Sequence, residues 1–148
     1  MADGKLGGKG IIAGPVTVGA GNGSGAVLAP GYLHGANRPG TLTIQSLLTF
    51  NGEGIYQMEL NSSSAMADEV AALGVVINAG ARFSFADIGN STLPIGRVFT
   101  IINNTSATPI AGAFSNLPDG STFTSNGNAY QVSYEGGDGN DLTLTVVP

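Results

Sequence analysis

Short runs in which apolar residues alternate with Thr, Ser, Gln or Glu recur along this chain, and they are separated by segments rich in Gly, Asn, Asp and Pro. The clearest are Val16-Thr17-Val18, Leu42-Thr43-Ile44, Tyr56-Gln57-Met58-Glu59-Leu60, Phe83-Ser84-Phe85, Val98-Phe99-Thr100-Ile101-Ile102, Tyr130-Gln131-Val132-Ser133-Tyr134 and Leu142-Thr143-Leu144-Thr145-Val146. Period two sends successive side chains to opposite faces of a strand, so each run predicts one buried and one solvated face. The aromatics Phe50, Tyr56, Phe83, Phe85, Phe99, Phe114, Phe123, Tyr130 and Tyr134 fall mainly on the alternating positions and are assigned to the core.

The first forty residues are Gly-rich, with only the short aliphatic pairs Ile11-Ile12, Val16/Val18 and Val27-Leu28. Strands this thin bury too little apolar surface alone and gain a core by stacking on neighbouring rungs. The pattern therefore predicts an all-β chain folded as a parallel β-helix (β-solenoid), with few or no helices. Residues 1–148 are read as a single domain with a flexible start over 1–9, and coils of about 20 residues give roughly six to seven of them. One stretch departs from the pattern. Ser63 to Gly74 has a Ser cap, the helix formers Ala65-Met66-Ala67 and Glu69 to Leu73, and a Gly stop. Propensity suggests a two-turn helix there, marginal at that length without tertiary support.

Composition narrows the function classes. Charged residues are 10% of the chain, against roughly 25% in ordinary soluble domains, while 42% of residues are apolar and 24 are Gly. Low charge with this much apolar residue is the opposite of the disordered signature. The net charge of −5, with Lys5, Lys9, Arg38, Arg82 and Arg97 scattered, supplies no basic stripe, so nucleic acid is not an expected partner. No apolar run is long enough to span a bilayer, so this segment is not expected to insert into a membrane. The absence of Cys removes disulfides and thiolate chemistry. Met1-Ala2-Asp3-Gly4-Lys5 lacks the apolar core of a signal peptide, so an exported form would carry its signal outside this sequence.

Two groups of segments resemble a known class. Val27-Leu28-Ala29-Pro30-Gly31, Arg38-Pro39-Gly40-Thr41-Leu42-Thr43-Ile44, Leu48-Thr49-Phe50 and Tyr56 to Leu60 are similar to autotransporter-associated β-strand repeats. Leu93 to Asn104, Gly112 to Gly120 and Tyr134 to Leu142 resemble the C-terminal end of the large bacterial surface proteins built from those repeats. The resemblance implies a right-handed parallel β-helix, a fragment of a larger exported protein that is secreted or displayed at the bacterial cell surface. It implies no enzyme and brings no functional residues with it. It also implies that Asp68-Glu69-Val70 begins a strand after a loop, against the helix that propensity suggests. Between Pro30-Gly31 and Pro39-Gly40 the chain departs from the repeat by inserting Tyr32 to Arg38, and this loop, with Tyr32, His34 and Arg38, is the candidate ligand loop.

Parallel β-helices can carry glycan-cleaving sites built on paired carboxylates, with Glu53, Glu59 and Arg82 as the residues to watch. Most Asp residues, however, sit in turns, where they serve the backbone. His34 is the only histidine and cannot form a His-rich metal site. Gly136-Gly137-Asp138-Gly139-Asn140-Asp141 fits the start of a calcium-binding nonapeptide, making Asp138 and Asp141 the weak calcium candidates. Such sites need a second stacked repeat, and a tight turn explains the same residues, so no cofactor is otherwise expected. The Thr-x-Thr pairs at Thr41/Thr43, Thr122/Thr124 and Thr143/Thr145 raise an ice-binding face, but they are far apart in sequence and read more simply as β-formers on a solvent face. The resulting expectation is a structural or adhesive module without catalysis. It would self-associate into a homo-oligomer through solenoid ends or bind a surface glycan. The alternatives are a carbohydrate-binding or glycan-processing β-helix and, further off, a calcium-binding or ice-binding solenoid.

Overall fold

The alternating runs form strands along the whole chain. They are β1 (Gly4–Gly8), β2 (Ile11–Ile12), β3 (Val16–Val18), β4 (Ala26–Pro30), β5 (Thr41–Ile44), β6 (Leu48–Phe50), β7 (Ile55–Asn61) and β8 (Met66–Ala67) in the first half. The second half contributes β9 (Glu69–Ala72), β10 (Val75–Ile77), β11 (Arg82–Asp87), β12 (Val98–Asn104), β13 (Thr122–Ser125), β14 (Asn128–Gly136) and β15 (Asp141–Val147). This computed structural model describes residues 1–23, 25–31 and 39–148, and no helix occurs among them.

The strands belong to three separate sheets. Sheet A runs β1-β4-β7-β11 with β8 attached to β7, sheet C runs β10-β6-β3, and sheet B runs β13-β14-β15-β12-β9-β5-β2. From β1 to β12 the chain visits A, B and C in turn, and apart from β8 the pairing of these strands with one another is parallel. Registers bring like positions together: Leu28, Tyr56 and Phe83 in sheet A, Leu42, Val70 and Ile102 in sheet B, Val18, Phe50 and Ile77 in sheet C. All of these are buried.

The expected parallel β-solenoid over 1–148 is corrected by sheet B. There β12 is parallel to β9 on one side and antiparallel to β15 on the other, and β15, β14 and β13 continue antiparallel. Three sheets, one of them continued by the antiparallel strands β13 to β15, replace a single stack of six or seven coils. The physical reason is that period two describes which face a residue occupies and says nothing of strand direction, which the connections decide. Asn126 and Gly127, with φ of 49° and 78°, form a two-residue turn closing the pair Ser125 and Asn128. Left-handed conformations at both positions are those of a type I′ hairpin. The four residues Gly137 to Asn140 then reverse the chain again, with Gly136 opposite Asp141.

Residues 63–74 form no helix. Val70 and Ala72 enter the core in register with Leu42 and Ile44, so the ladder of sheet B overrides local helix propensity. Gly4 to Gly8, expected as a flexible start, pair along their whole length with Ala26 to Pro30. The core is continuous across the change of strand direction because aromatic rings join its two parts. Phe50 meets Phe114 at 5.1 Å between centroids, Tyr56 and Phe83 each meet Phe114 at 6.0 Å, and Phe85 meets Phe123 at 5.0 Å and Tyr130 at 5.3 Å. Aromatic contacts of this kind add about 0.5–1.5 kcal/mol each to the burial they accompany.

Candidate functional site

The carboxylates singled out for catalysis are not brought together with Arg82. Glu53 turns back onto the 19–22 loop, where its Oε1 accepts the amides of Ala20 and, at 2.7 Å, Gly21. Desolvation works to raise its pKa, but the backbone amides around it outweigh that and hold Glu53 below the ordinary carboxylate value. Glu59 stands opposite Ala86 while Arg82 stands opposite Ile55, so the two are four residues apart along adjacent strands, roughly 13 Å at the rise of a strand.

A different carboxylate occupies the interior. Asp68 is 3% exposed, and its two oxygens accept the amides of Gly40 and Glu59, each at 2.9 Å. Burial pushes its pKa up to about 6 against the opposing pull of those two amides. A Cβ at Gly31, where φ is +91°, would stand 2.5 Å from Asp68 Oδ1. Asp68 thus packs against Gly31 and bonds Gly40, fastening the two ends of the segment they enclose. The candidate ligand residues Tyr32, His34 and Arg38 belong to that segment and lie outside the described residues.

Asp138 and Asp141 occupy the turn between β14 and β15. Asp141 is buried and its Oδ1 accepts the Asn104 amide at 2.9 Å, while Asp138 is exposed. Burial raises the pKa of Asp141, and the amide of Asn104 works against that rise. Next to it Asn140 donates to the Ser106 carbonyl at 2.6 Å. The turn therefore spends its carboxylate and amide on stitching β15 to the chain after β12. Among the described residues no group of three or more His, Cys, Asp or Glu is arranged to hold a metal ion. The three Thr-x-Thr pairs all fall in sheet B, on β5, β13 and β15, but other strands intervene between each pair and the next. Thr143 is 3% exposed and lies beneath Gly136, which interrupts any flat Thr array.

A concave feature of the surface lies elsewhere. Strand β11 is the outer edge of sheet A and β13 the outer edge of sheet B. They flank a groove of about 300 Å³ in which Phe83, Phe85 and Phe123 meet Leu117 and Pro118. Asn116, Ser121 and Thr122 also line it. The bonds from Arg82 N to Gly54 O at 2.9 Å and from Ile88 N to Leu60 O at 2.8 Å fix which residues of β11 face β7. By the parallel pattern, the even-numbered residues do so, and the backbone groups of Phe83, Phe85 and Asp87 face the outer edge.

Side-chain amides close that edge at two points. Asn116 Oδ1 accepts from Phe83 N at 2.8 Å while its Nδ2 donates to Phe83 O at 2.7 Å, imitating one residue of a further strand. Asn126 Nδ2 donates to Asp87 O at 3.1 Å. For Phe85, between them, no hydrogen bond on the outward side is formed with the described residues. The loop carrying Asn116 is itself held by Tyr134, whose hydroxyl donates to Leu117 O at 2.8 Å and accepts from Phe114 N at 3.1 Å. Burial pushes that phenol up to about 12. The alternating pattern places the phenylalanines in the core and gives no sign of Asn116, since an Asn before Leu-Pro-Asp-Gly signals only a turn and its partner lies 33 residues away.

No family model, curated protein or solved structure matches the chain.

Proposed function

We propose that this chain is a structural or adhesive all-β module of a secreted or cell-surface bacterial protein, and that it associates through one end of its sheets. The observation that carries the reading is the contrast between those ends. β1, β2 and β3 are consecutive strands, and each is the last strand of its own sheet, so three sheets end together there. The outer side of β3 is bonded in part by Met1, whose amine donates to Thr17 O and whose carbonyl accepts from Gly19 N, each at 2.7 Å. That leaves the edges of β1 and β2 for further strands. At the other end, the segment from Thr105 to Ser121 lies over β10 and β11. Ile77 N donates to Ala111 O at 2.7 Å and Ser115 N to Ala81 O at 2.8 Å, and Ile110, Phe114 and Leu117 are buried. Open strand edges are templates for further strands. The use of Glu53, Asp68 and Asp141 as backbone acceptors also supports a structural employment of the carboxylates. The likeness to autotransporter-associated repeats supports export and display.

Sedimentation of the purified chain over a hundredfold range of concentration tests the association. A mass that grows with concentration, and stops growing when Lys5 and Gly7 on β1 are both replaced by Pro, is expected; a monomer throughout overturns it. Antibody labelling of intact cells tests display, and labelling obtained only after permeabilisation overturns that part. Release of reducing ends from a polysaccharide panel would favour the glycan-processing alternative.

A further inference from the structure

We propose that the groove between the free edges of β11 and β13 binds a single neutral pyranose unit of a surface glycan, which gives the adhesive reading above its ligand class. Three observations lead there. The first is charge: the residues lining the groove are Phe, Leu, Pro, Asn, Ser and Thr, with no ionisable side chain among them. A charged ligand would lose its hydration and meet no counter-charge.

The second is the division of polarity. Apolar surface from Phe83, Phe85 and Phe123 stands beside hydrogen-bonding groups, the arrangement that suits a molecule with one apolar and one hydroxylated aspect. A pyranose presents C–H groups on a ring face and hydroxyls around its rim. Its hydroxyls can both donate and accept, and the available partners are of both kinds. The Phe85 amide, the Thr122 hydroxyl and the second N–H of Asn116, whose first is committed to Phe83 O, are donors. The Phe85 carbonyl is an acceptor.

The third is the length of open edge, which separates a sugar from a peptide. An added β-strand would need successive outward residues of β11, but Asn116 already occupies Phe83 and Asn126 occupies the Asp87 carbonyl. The distance from Phe83 to Asp87 is roughly 13 Å at the rise of a strand, and at its centre Phe85 has no outward partner among the described residues. That window accepts a compact ring and blocks an extended backbone. The volume of about 300 Å³ stands at the small end of ligand pockets, which also favours one ring over a long chain segment.

The test is a titration of the full chain, followed by amide chemical shifts. The probes are neutral oligosaccharides of gluco, galacto, manno and N-acetylhexosamine type, with an uncharged aromatic peptide alongside. Binding of at least one sugar is expected, with shifts centred on Phe85, Asn116 and Phe123. Thr122→Arg, at an exposed position on the rim, is expected to weaken it at least tenfold. Phe123→Leu keeps the apolar volume, removes the ring and is expected to weaken it several-fold. Silence of every sugar, an unchanged affinity in both variants, or binding of the peptide alone overturns the proposal. Beads coated with the chain separate this from the adhesive reading. If parent and Thr122→Arg beads adhere equally to glycan-bearing cells, the groove is wrong and adhesion stands; if parent beads do not adhere, adhesion itself is wrong.

Discussion

The first pass of the chain through the sheets and its last three strands are both regular β-structure, yet they are held in different ways. β1 buries no residue and β2 none, leaving Val16 and Val18 of β3 as the buried part of that pass. β14 and β15 together bury Tyr130, Val132, Tyr134, Leu142, Leu144 and Val146. The first three strands are also paired on one side only, while β15 is paired on both. Backbone hydrogen bonding, common to the two regions, therefore cannot be what distinguishes them; side-chain burial is. The antiparallel strands also close over short turns, which costs little chain entropy, whereas each parallel pairing waits for a full circuit of the three sheets. The molecule should be most stable around β12, β14 and β15 and loosen toward β1.

The sharpest way to break that comparison is to remove side chains at both ends. Leu144 is fully buried and Ile11 is 69% exposed. Leu144→Ala is expected to cost about 2–5 kcal/mol, from lost burial and the cavity left behind. Ile11→Ala should stay within about 0.5 kcal/mol, as surface changes do. Urea unfolding measures both, and equal losses would mean that the first pass is as tightly packed as the last strands.

Two buried carboxylates bound to backbone amides lie beyond the first pass, Asp68 between β8 and β9 and Asp141 at the start of β15. Asp68 has a folded pKa of about 6 against an ordinary 3.8, and that of Asp141 is raised in the same direction. For a raised carboxylate the folded state holds its proton more tightly than the unfolded chain. Its stabilising share is therefore complete below the ordinary pKa and is lost as pH rises through the folded one. Glu53 is shifted the other way: its stabilising share is present above its ordinary 4.5 and is lost only as pH falls below it, so it does not shape the slope between pH 7 and 5. Melting temperature is thus expected to rise as pH falls from 7 to 5, with Asp68 contributing at most about 3 kcal/mol over its whole range. Asp68→Asn should flatten that slope. A parent protein that loses stability on the same acidification would show that the carboxylates are better solvated than their burial indicates.

The hairpin of the second region was legible in a way that the parallel pairings were not. Ser125-Asn126-Gly127-Asn128 between two alternating runs is a strong local sign of strand reversal, and a tight turn is the simpler of the two readings of Gly136 to Asp141. Read together they specify antiparallel strands over 122–147, against the uniform solenoid that period two and thin Gly-rich rungs suggested. Period two did place Tyr56, Phe83, Tyr130 and Leu144 in the core, because burial is a local pattern. The groove was illegible for the opposite reason. It depends on Asn116 and Asn126 reaching an edge strand more than 30 residues away, and side chains at such separations leave no periodic trace. Gly127→Val tests the turn directly. At a φ of 78°, a side chain there costs about 1–2 kcal/mol, and Gly127→Asn should recover much of it. An unaffected melting temperature in Gly127→Val would mean that the antiparallel strands do not depend on this reversal.

The smallest expected effect lies in the first region and has the opposite sign. Gly14, between β2 and β3, is not in the left-handed conformation, and a Cβ there would meet nothing within 4 Å. Replacing it by Ala removes conformations that the unfolded chain can visit and the folded one does not use. Stabilisation of about 0.4–1 kcal/mol is the usual result at such a position. Because the first pass is expected to open before the rest, the gain should appear chiefly as slower amide exchange in β1, β2 and β3. The global denaturation midpoint should move less, since strands already frayed at the midpoint transmit little of a local gain to it. A shift of the global midpoint by the full amount would mean that the first pass unfolds together with β14 and β15, which would erase the difference in stability between the two regions even though their burial differs.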